Sequence, residues 1–190
     1  MIAQLTQKTH TIAEYLEIDA QSEIRHEYIE GEIIPMTGGT TNHNLVTGNI
    51  YLALRLALKG TNNIVYIENV RLFIPEFNIF TYPDVMIIAG QPTYYNESKT
   101  TVTNSIVLIE VLSNSTRDYD LGRKFEYYRS IESLQEYILV EPEKTLIMIY
   151  RRSNNKHWSL EIYDNPNDRF TLQSFGVEMS LVDIYEGVLS

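Results

Sequence analysis

Residues 105–142 read SIVLIEVLSNSTRDYDLGRKFEYYRSIESLQEYILVEP. The run opens on an apolar strand at 105–112, passes through a loop of turn formers, and enters a helical pattern at about 120–133. It closes on a second apolar strand, 136–141, stopped by Pro142. Strand, helix and strand in that order set an α/β class. The chain on either side agrees. Thr9 or Thr11 can cap a short helix reaching about Ile18, and HEYIEGEIIPM (26–36) reads as a hairpin turning at Glu30-Gly31. TGGTTN is a loop that delivers the chain into the clearest helix, 42–59, with Thr41 or Asn42 as its cap and Gly60 as its stop. Leu45, Val46, Ile50, Ala53, Leu54, Ala57 and Leu58 give that helix a wide apolar stripe, suited to packing on a sheet. The period then changes from 3.6 to 2. Strands are expected over 63–74 and 79–89, a hairpin over 146–151 and 158–163, and a short strand with an irregular segment in 170–190. With no repeat, low-complexity run or linker, 1–190 reads as one α/β domain.

Composition narrows the chemistry. The 190 residues include no cysteine, which removes disulfides, thiolate zinc sites, iron–sulfur clusters and cysteine nucleophiles. The formal net charge of −10 disfavours coating nucleic acid by bulk charge, but leaves room for a local basic groove. No apolar run approaches the ~18 residues of a membrane span. The first residues, MIAQLTQKTHTIAEY, have neither a basic start nor a continuous apolar stretch. The expectation is a cytoplasmic protein without a membrane segment.

Two strands carry a carboxylate where carboxylates are expensive. Asp84 opens the apolar run of YPDVMII (82–88), with Pro83 fitting a strand start. Glu110 sits inside IVLIEVL (106–112), on the same strand face as Ile106, Leu108 and Leu112. An unpaired carboxylate there costs several kcal/mol, so it needs a cation or a proton. Each acid alone reads as half of an ordinary ion pair, or as an acid emerging at a strand end. Two on successive strands can converge on one hard divalent cation, an arrangement that activates water and stabilises charge at phosphorus. On the helix, Asp120, Lys124 and Tyr128 fall at i, i+4 and i+8. Asp120–Lys124 reads as a surface pair, or as a lysine turned back toward the carboxylates. The histidines at 10, 26, 43 and 157 show no metal-ligand spacing.

GEIIPMTGGTTNHN (31–44), YPDVMIIAG (82–90) and LIEVLSNSTRDYDLGRKFEYYRSIESLQEYILVEP (108–142) together resemble the Uma2, or DUF820, proteins of the PD-(D/E)XK nuclease superfamily. The resemblance covers most of the chain and keeps the motif order. It implies a restriction-endonuclease-like core of α/β (α+β) class, a mixed central β-sheet flanked by helices. It also implies a Mg2+- or Mn2+-dependent endonuclease acting on DNA. Pro83-Asp84 corresponds to the PD dipeptide and Glu110 to the acid of (D/E)XK. The lysine position holds Leu112 instead, and Lys124 is the expected replacement, with Asp120 and Tyr128 in support. Asp84 and Glu110 are the implied metal ligands, with Glu30 the choice for a third, and His43 is raised as a catalytic candidate by its place in the matched segment. A homodimer follows by analogy with nucleases of this fold.

Basic residues gather in two places. Arg117, Arg123, Lys124 and Arg129 surround the site helix, and Lys144, Arg151, Arg152 and Lys156 occupy the later hairpin. Each group is either an ordinary solvated surface or a patch contacting phosphates, with Arg117, Arg123, Arg151 and Arg152 as the expected contacts. A different class of function stays open. Leu112 and the acidic surface also suit an inactive nuclease-fold domain that binds nucleic acid or a protein partner.

Overall fold

The computed structural model describes residues 9–36, 38–113, 116–154 and 157–188. Thr11 opens helix α1 (Ile12–Gln21) with a capping box: its hydroxyl accepts from the Glu14 N–H, and the Glu14 carboxylate accepts from the Thr11 N–H. Strands β1 (His26–Ile29) and β2 (Glu32–Pro35) form the expected antiparallel hairpin. Its turn residues Glu30 and Gly31 both have positive φ, 52° and 91°, as a two-residue I′ turn requires. Helix α2 (Thr41–Ala57) is capped by Thr40, whose hydroxyl accepts from the His43 N–H, so the cap falls just before the expected Thr41 or Asn42.

Two expected strands do not run through. The stretch 63–74 divides into β3 (Ile64–Ile67) and β4 (Arg71–Ile74), and 79–89 into β5 (Ile79–Thr81) and β6 (Val85–Ile88). β3 pairs with β6 and β4 with β5, and the two pairs belong to different sheets. The causes are local. Glu68 takes a positive φ of 47°, which leaves the extended region, and Pro83 has no N–H to offer a continuous ladder. The sheets fork at Glu68 and Asp84, where the Glu68 N–H donates to the Asp84 carbonyl at 2.9 Å.

The remaining strands are β7 (Thr101–Val102), β8 (Val107–Val111), β9 (Glu136–Val140), β10 (Ile147–Asn154), β11 (His157–Tyr163), β12 (Arg169–Leu172) and β13 (Val177–Ser180). One sheet runs β2-β1-β5-β4-β7, the other β11-β10-β9-β8-β6-β3, and β12-β13 is a separate ribbon. The six-stranded sheet is mixed: β8 and β9 pair in parallel and its other pairs are antiparallel. The expected mixed sheet flanked by helices is therefore present. Along β8 the pleat alternates. Val107, Ile109 and Val111 join the core under α2, while Leu108, and Leu112 just beyond, join the core under the later helices, the side that also receives Glu110.

The helix expected at about 120–133 is two short helices, α3 (Arg117–Leu121) and α4 (Arg123–Tyr128). Gly122, at φ −116° and ψ −88°, leaves the helical region and breaks them apart. The tail is more regular than its sequence suggests: β12 and β13 pair as a hairpin and lead into α5 (Leu181–Ile184). No helix among the described residues is long and apolar enough to cross a membrane.

Tyrosines do much of the packing. Tyr15 stacks on Tyr28 at 5.2 Å between ring centres, and Tyr128 meets Tyr137 edge-on at 5.1 Å. Burial pushes the phenols of Tyr15, Tyr128 and Tyr137 up, and those of Tyr82 and Tyr185 up to about 12. A phenol whose folded pKa exceeds its unfolded one holds its proton more tightly in the native state. Its contribution is complete below about pH 10 and is lost as pH rises through the folded values. The thermal midpoint should therefore fall steeply above about pH 10. A midpoint that stayed level from about pH 9 to 12 would contradict this assignment of the buried phenols.

Candidate active site

Asp84 occupies the fork between the sheets. The β6–β8 ladder ends at the pair Val85 and Ile109, and the Val111 N–H, next in line for a strand partner, donates instead to Asp84 Oδ2 at 2.7 Å. The carboxylate is thus fixed by the main chain, with no arginine or lysine among the described residues paired to it. His43, in the first turn of α2, brings Nε2 to 3.4 Å from the same oxygen. Gly39 makes room for that ring: a Cβ there would lie 2.7 Å from His43 Nδ1. Glu68 completes the group, with one ligating atom from each of His43, Glu68 and Asp84 lying within 4.8 Å of the others. Two carboxylates and an imidazole fit a divalent cation, and the nitrogen suits Mn2+ better than Mg2+. Burial works to lower the His43 pKa. The Asp84 carboxylate beside the ring, with the Glu68 and Glu110 charges, outweighs burial and raises it.

The second group lies on β8 and the helix pair. Glu110 is 4% exposed, and its Oε1 accepts from the Tyr128 hydroxyl at 2.6 Å and lies 2.9 Å from Lys124 Nζ. Lys124, 7% exposed, also reaches Asp120 Oδ1 at 3.2 Å. Asp120 is held in turn: its Oδ2 accepts from the Thr116 hydroxyl at 2.6 Å and its carbonyl from the Tyr137 hydroxyl at 3.0 Å. The Asp120–Lys124 pair is therefore a buried network and not a surface pair. Leu112, at the motif's lysine position, is 1% exposed in the apolar core, and the ammonium comes to Glu110 from α4. Burial pushes the Glu110 carboxyl up to about 8, against the pull of Lys124 and with the push of Asp84 and Asp120. For Lys124 burial works downward, and the charges of Glu110, Tyr128 and Asp120 outweigh it and keep the ammonium charged. A cavity of about 380 Å³ joins the two groups, with Ile34, Pro35 and Met36 among the residues that line it.

The structure brings Asp84, Glu110, Lys124, His43, Asp120 and Tyr128 together. It does not bring Glu30 there: its carboxylate, on the β1–β2 turn, is held by Arg123 at 2.9 Å and by the Tyr127 hydroxyl at 2.8 Å. The expected phosphate-contacting arginines are also engaged. Arg117 pairs with Glu141, and Arg123 is exposed but paired with Glu30. Arg151 is 6% exposed between Glu136 and Glu161, so a phosphate cannot reach it without unpacking the sheet. Arg152 donates to the carbonyls of Arg129, Glu132 and Ile131 just beyond α4 and lies 4.9 Å from the Trp158 ring centre. Lys156 lies outside the described residues. Several residues of the cavity escaped the sequence, Glu68 and Arg25 among them. Glu68 follows IVYI with nothing to mark it as more than a strand residue, and Arg25 lies in the irregular SEIRHE. Only the fork of the sheets gives either a place.

Comparison with known proteins agrees with the fold and with the family resemblance. The profile of the Uma2 family, described as "Putative restriction endonuclease", matches residues 12–182. An uncharacterized protein of Synechocystis sp. is 37% identical over 160 residues, 84% of this chain and 90% of that protein. A second from the same organism is 29% identical over 175 residues, 92% of this chain and 90% of its own length. The crystal structure of a "putative nuclease belonging to DUF820" from Anabaena variabilis superposes with a TM-score of 0.76, covering 94% of this chain and 99% of that one at 19% identity, a likeness of fold.

Proposed function

Since the chain belongs to the Uma2 family, we propose that it is a divalent-metal-dependent endonuclease that hydrolyses phosphodiester bonds in DNA at the cavity between Asp84 and Lys124. The observation that carries this is the pairing of two unlike groups across one cavity. On one side are two carboxylates and an imidazole within 4.8 Å, and on the other a buried ammonium 2.9 Å from Glu110. Asp84, Glu68 and His43 would hold the cation, with Glu110 beside them. When bound, it supplies charge neutralisation at phosphorus and a more acidic water.

The protein's own groups do the rest. Val111 N–H fixes the Asp84 carboxylate from the main chain, and His43 Nε2 faces the same oxygen at 3.4 Å. Lys124 Nζ lies 2.9 Å from Glu110 Oε1 and 3.2 Å from Asp120 Oδ1, and an ammonium carries three N–H donors, so the same group can also serve a phosphoryl oxygen or the attacking water. The Tyr128 hydroxyl holds Glu110 Oε1, so the acid that orients Lys124 is itself oriented. The net charge of −10 limits affinity for DNA and makes it strongly dependent on salt.

The test is cleavage of plasmid and short duplex substrates with Mn2+ or Mg2+, and with each metal removed by a chelator. Cleavage that needs the metal and falls by about a hundredfold or more in Lys124→Ala is expected, the size of effect typical for a group stabilising charge in the transition state. A wild-type protein that bound DNA without binding Mn2+ would favour the inactive nuclease-fold domain, for which Leu112 at the motif position already speaks.

A further inference from the structure

Five carboxylates line the cavity: Glu27, Glu68, Asp84, Glu110 and Asp120. A phosphodiester is an anion, and one bound cation offsets only part of that charge. The polyanion needs a cationic side chain whose charge is not already spent on a carboxylate. Lys124 is spent on Glu110 and Asp120. Arg117, Arg123 and Arg151 are each matched to a glutamate, and Arg152 to backbone carbonyls.

Arg25 differs. It lines the same cavity, half-buried, and forms no ion pair with a described residue. Nη1 donates to the Glu68 carbonyl at 2.7 Å, and the guanidinium lies 5.7 Å from the centre of the Tyr82 ring. These contacts fix the plane of the group while using one donor. Its Nε and Nη2 make no hydrogen bond to a described residue, and a guanidinium presents its donors as a rigid fork matched to phosphate oxygens. Tyr82 and Glu68 are the neighbours of Asp84 at the fork, so the fork of Arg25 is held next to the metal-ligand group.

Resting on the nuclease reading above, we infer that Arg25 is a further phosphate-binding residue of the site, contacting a backbone phosphate of the substrate through its free guanidinium edge. It touches substrate and takes no part in proton transfer.

The test is equilibrium binding of a 20-base-pair duplex in Ca2+, a hard cation of oxygen preference, across a range of KCl concentrations, for wild type, Arg25→Ala and Arg25→Lys. Arg25→Ala should weaken binding about tenfold or more and reduce the slope of log affinity against log salt by about 1, while Arg25→Lys should keep the slope. Calorimetric titration with Mn2+ alone should give the same affinity for wild type and Arg25→Ala within about threefold. That control separates a phosphate contact from a strut for Glu68. An unchanged salt slope in Arg25→Ala overturns the assignment. So does a loss of Mn2+ affinity that matches the loss of DNA affinity, which would mean that Arg25 acts through Glu68. Wild-type protein that binds no Mn2+ removes the nuclease reading itself, and the assignment with it.

Discussion

Asp84→Asn should abolish metal-dependent cleavage while leaving the fold intact. The substitution separates two roles that share one carboxylate. Structurally, Asp84 Oδ2 caps the Val111 N–H where the β6–β8 ladder stops, and the amide oxygen of asparagine can still accept that bond. Alanine cannot, and would leave a part-buried N–H without a partner at a cost of about 1–3 kcal/mol. Chemically, asparagine removes the negative charge that faces His43 and Glu68. Mn2+ affinity should fall by roughly tenfold or more and cleavage by about a hundredfold or more, with the thermal midpoint of the metal-free protein within a few degrees of wild type. The measurement is a paired one, calorimetric Mn2+ titration and plasmid cleavage on the same preparation. Cleavage retained in Asp84→Asn would remove Asp84 from the chemistry.

Arg151→Ala should be among the most destabilising single changes in the sheet. Glu136 is 2% exposed at the start of β9, and Arg151 on β10 is its cationic partner. The Glu136 carboxylate also accepts from the Ser174 N–H at 2.9 Å, the Ser174 hydroxyl at 2.7 Å and the Gln173 N–H at 3.3 Å, which ties the β12–β13 ribbon to the sheet. Removing the arginine leaves a buried charge and costs about 3–5 kcal/mol, roughly 10 °C in thermal midpoint for a chain of this length. The double variant Glu136→Leu with Arg151→Met should recover only the part of that loss that comes from the unpaired buried charge, because it also removes the acceptor of the Ser174 and Gln173 donors. Thermal melts of the two variants decide it. A midpoint within about 2 °C of wild type in Arg151→Ala would show that the pair carries little stability and would reopen a surface role for Arg151.

The sequence announced the site's chemistry more clearly than its geometry. An acid inside IVLIEVL is visible because burial makes it expensive, and the structure finds Glu110 among apolar side chains with Lys124 upon it. Lys124 is legible from its spacing with Asp120 and Tyr128 on one helix, although the kink at Gly122 cannot be read from periodicity. What remained hidden depends on where strands stop. IVYIENVRLFI holds no proline or glycine to mark a stop and reads as one strand, yet Glu68 turns the chain into a second sheet by adopting a positive φ. That turn, with the matching break at Pro83, creates the fork that gathers His43, Glu68 and Asp84. The family resemblance makes Glu30 the choice for a third ligand, but its hairpin turn points it to Arg123 and Tyr127. Arginines mislead in the same way. Their charge is legible in sequence, but whether a carboxylate has already claimed them is decided by packing, as Arg151 and Arg25 show from opposite sides.

The most direct test of the central claim is a crystal of the protein soaked in Mn2+ and measured for anomalous scattering. A peak within about 2–2.5 Å of Asp84, with Glu68 and the His43 imidazole in its coordination shell, is the result expected from the fork between the sheets. Strong anomalous density elsewhere with none at Asp84, or none at all at millimolar Mn2+, would contradict it.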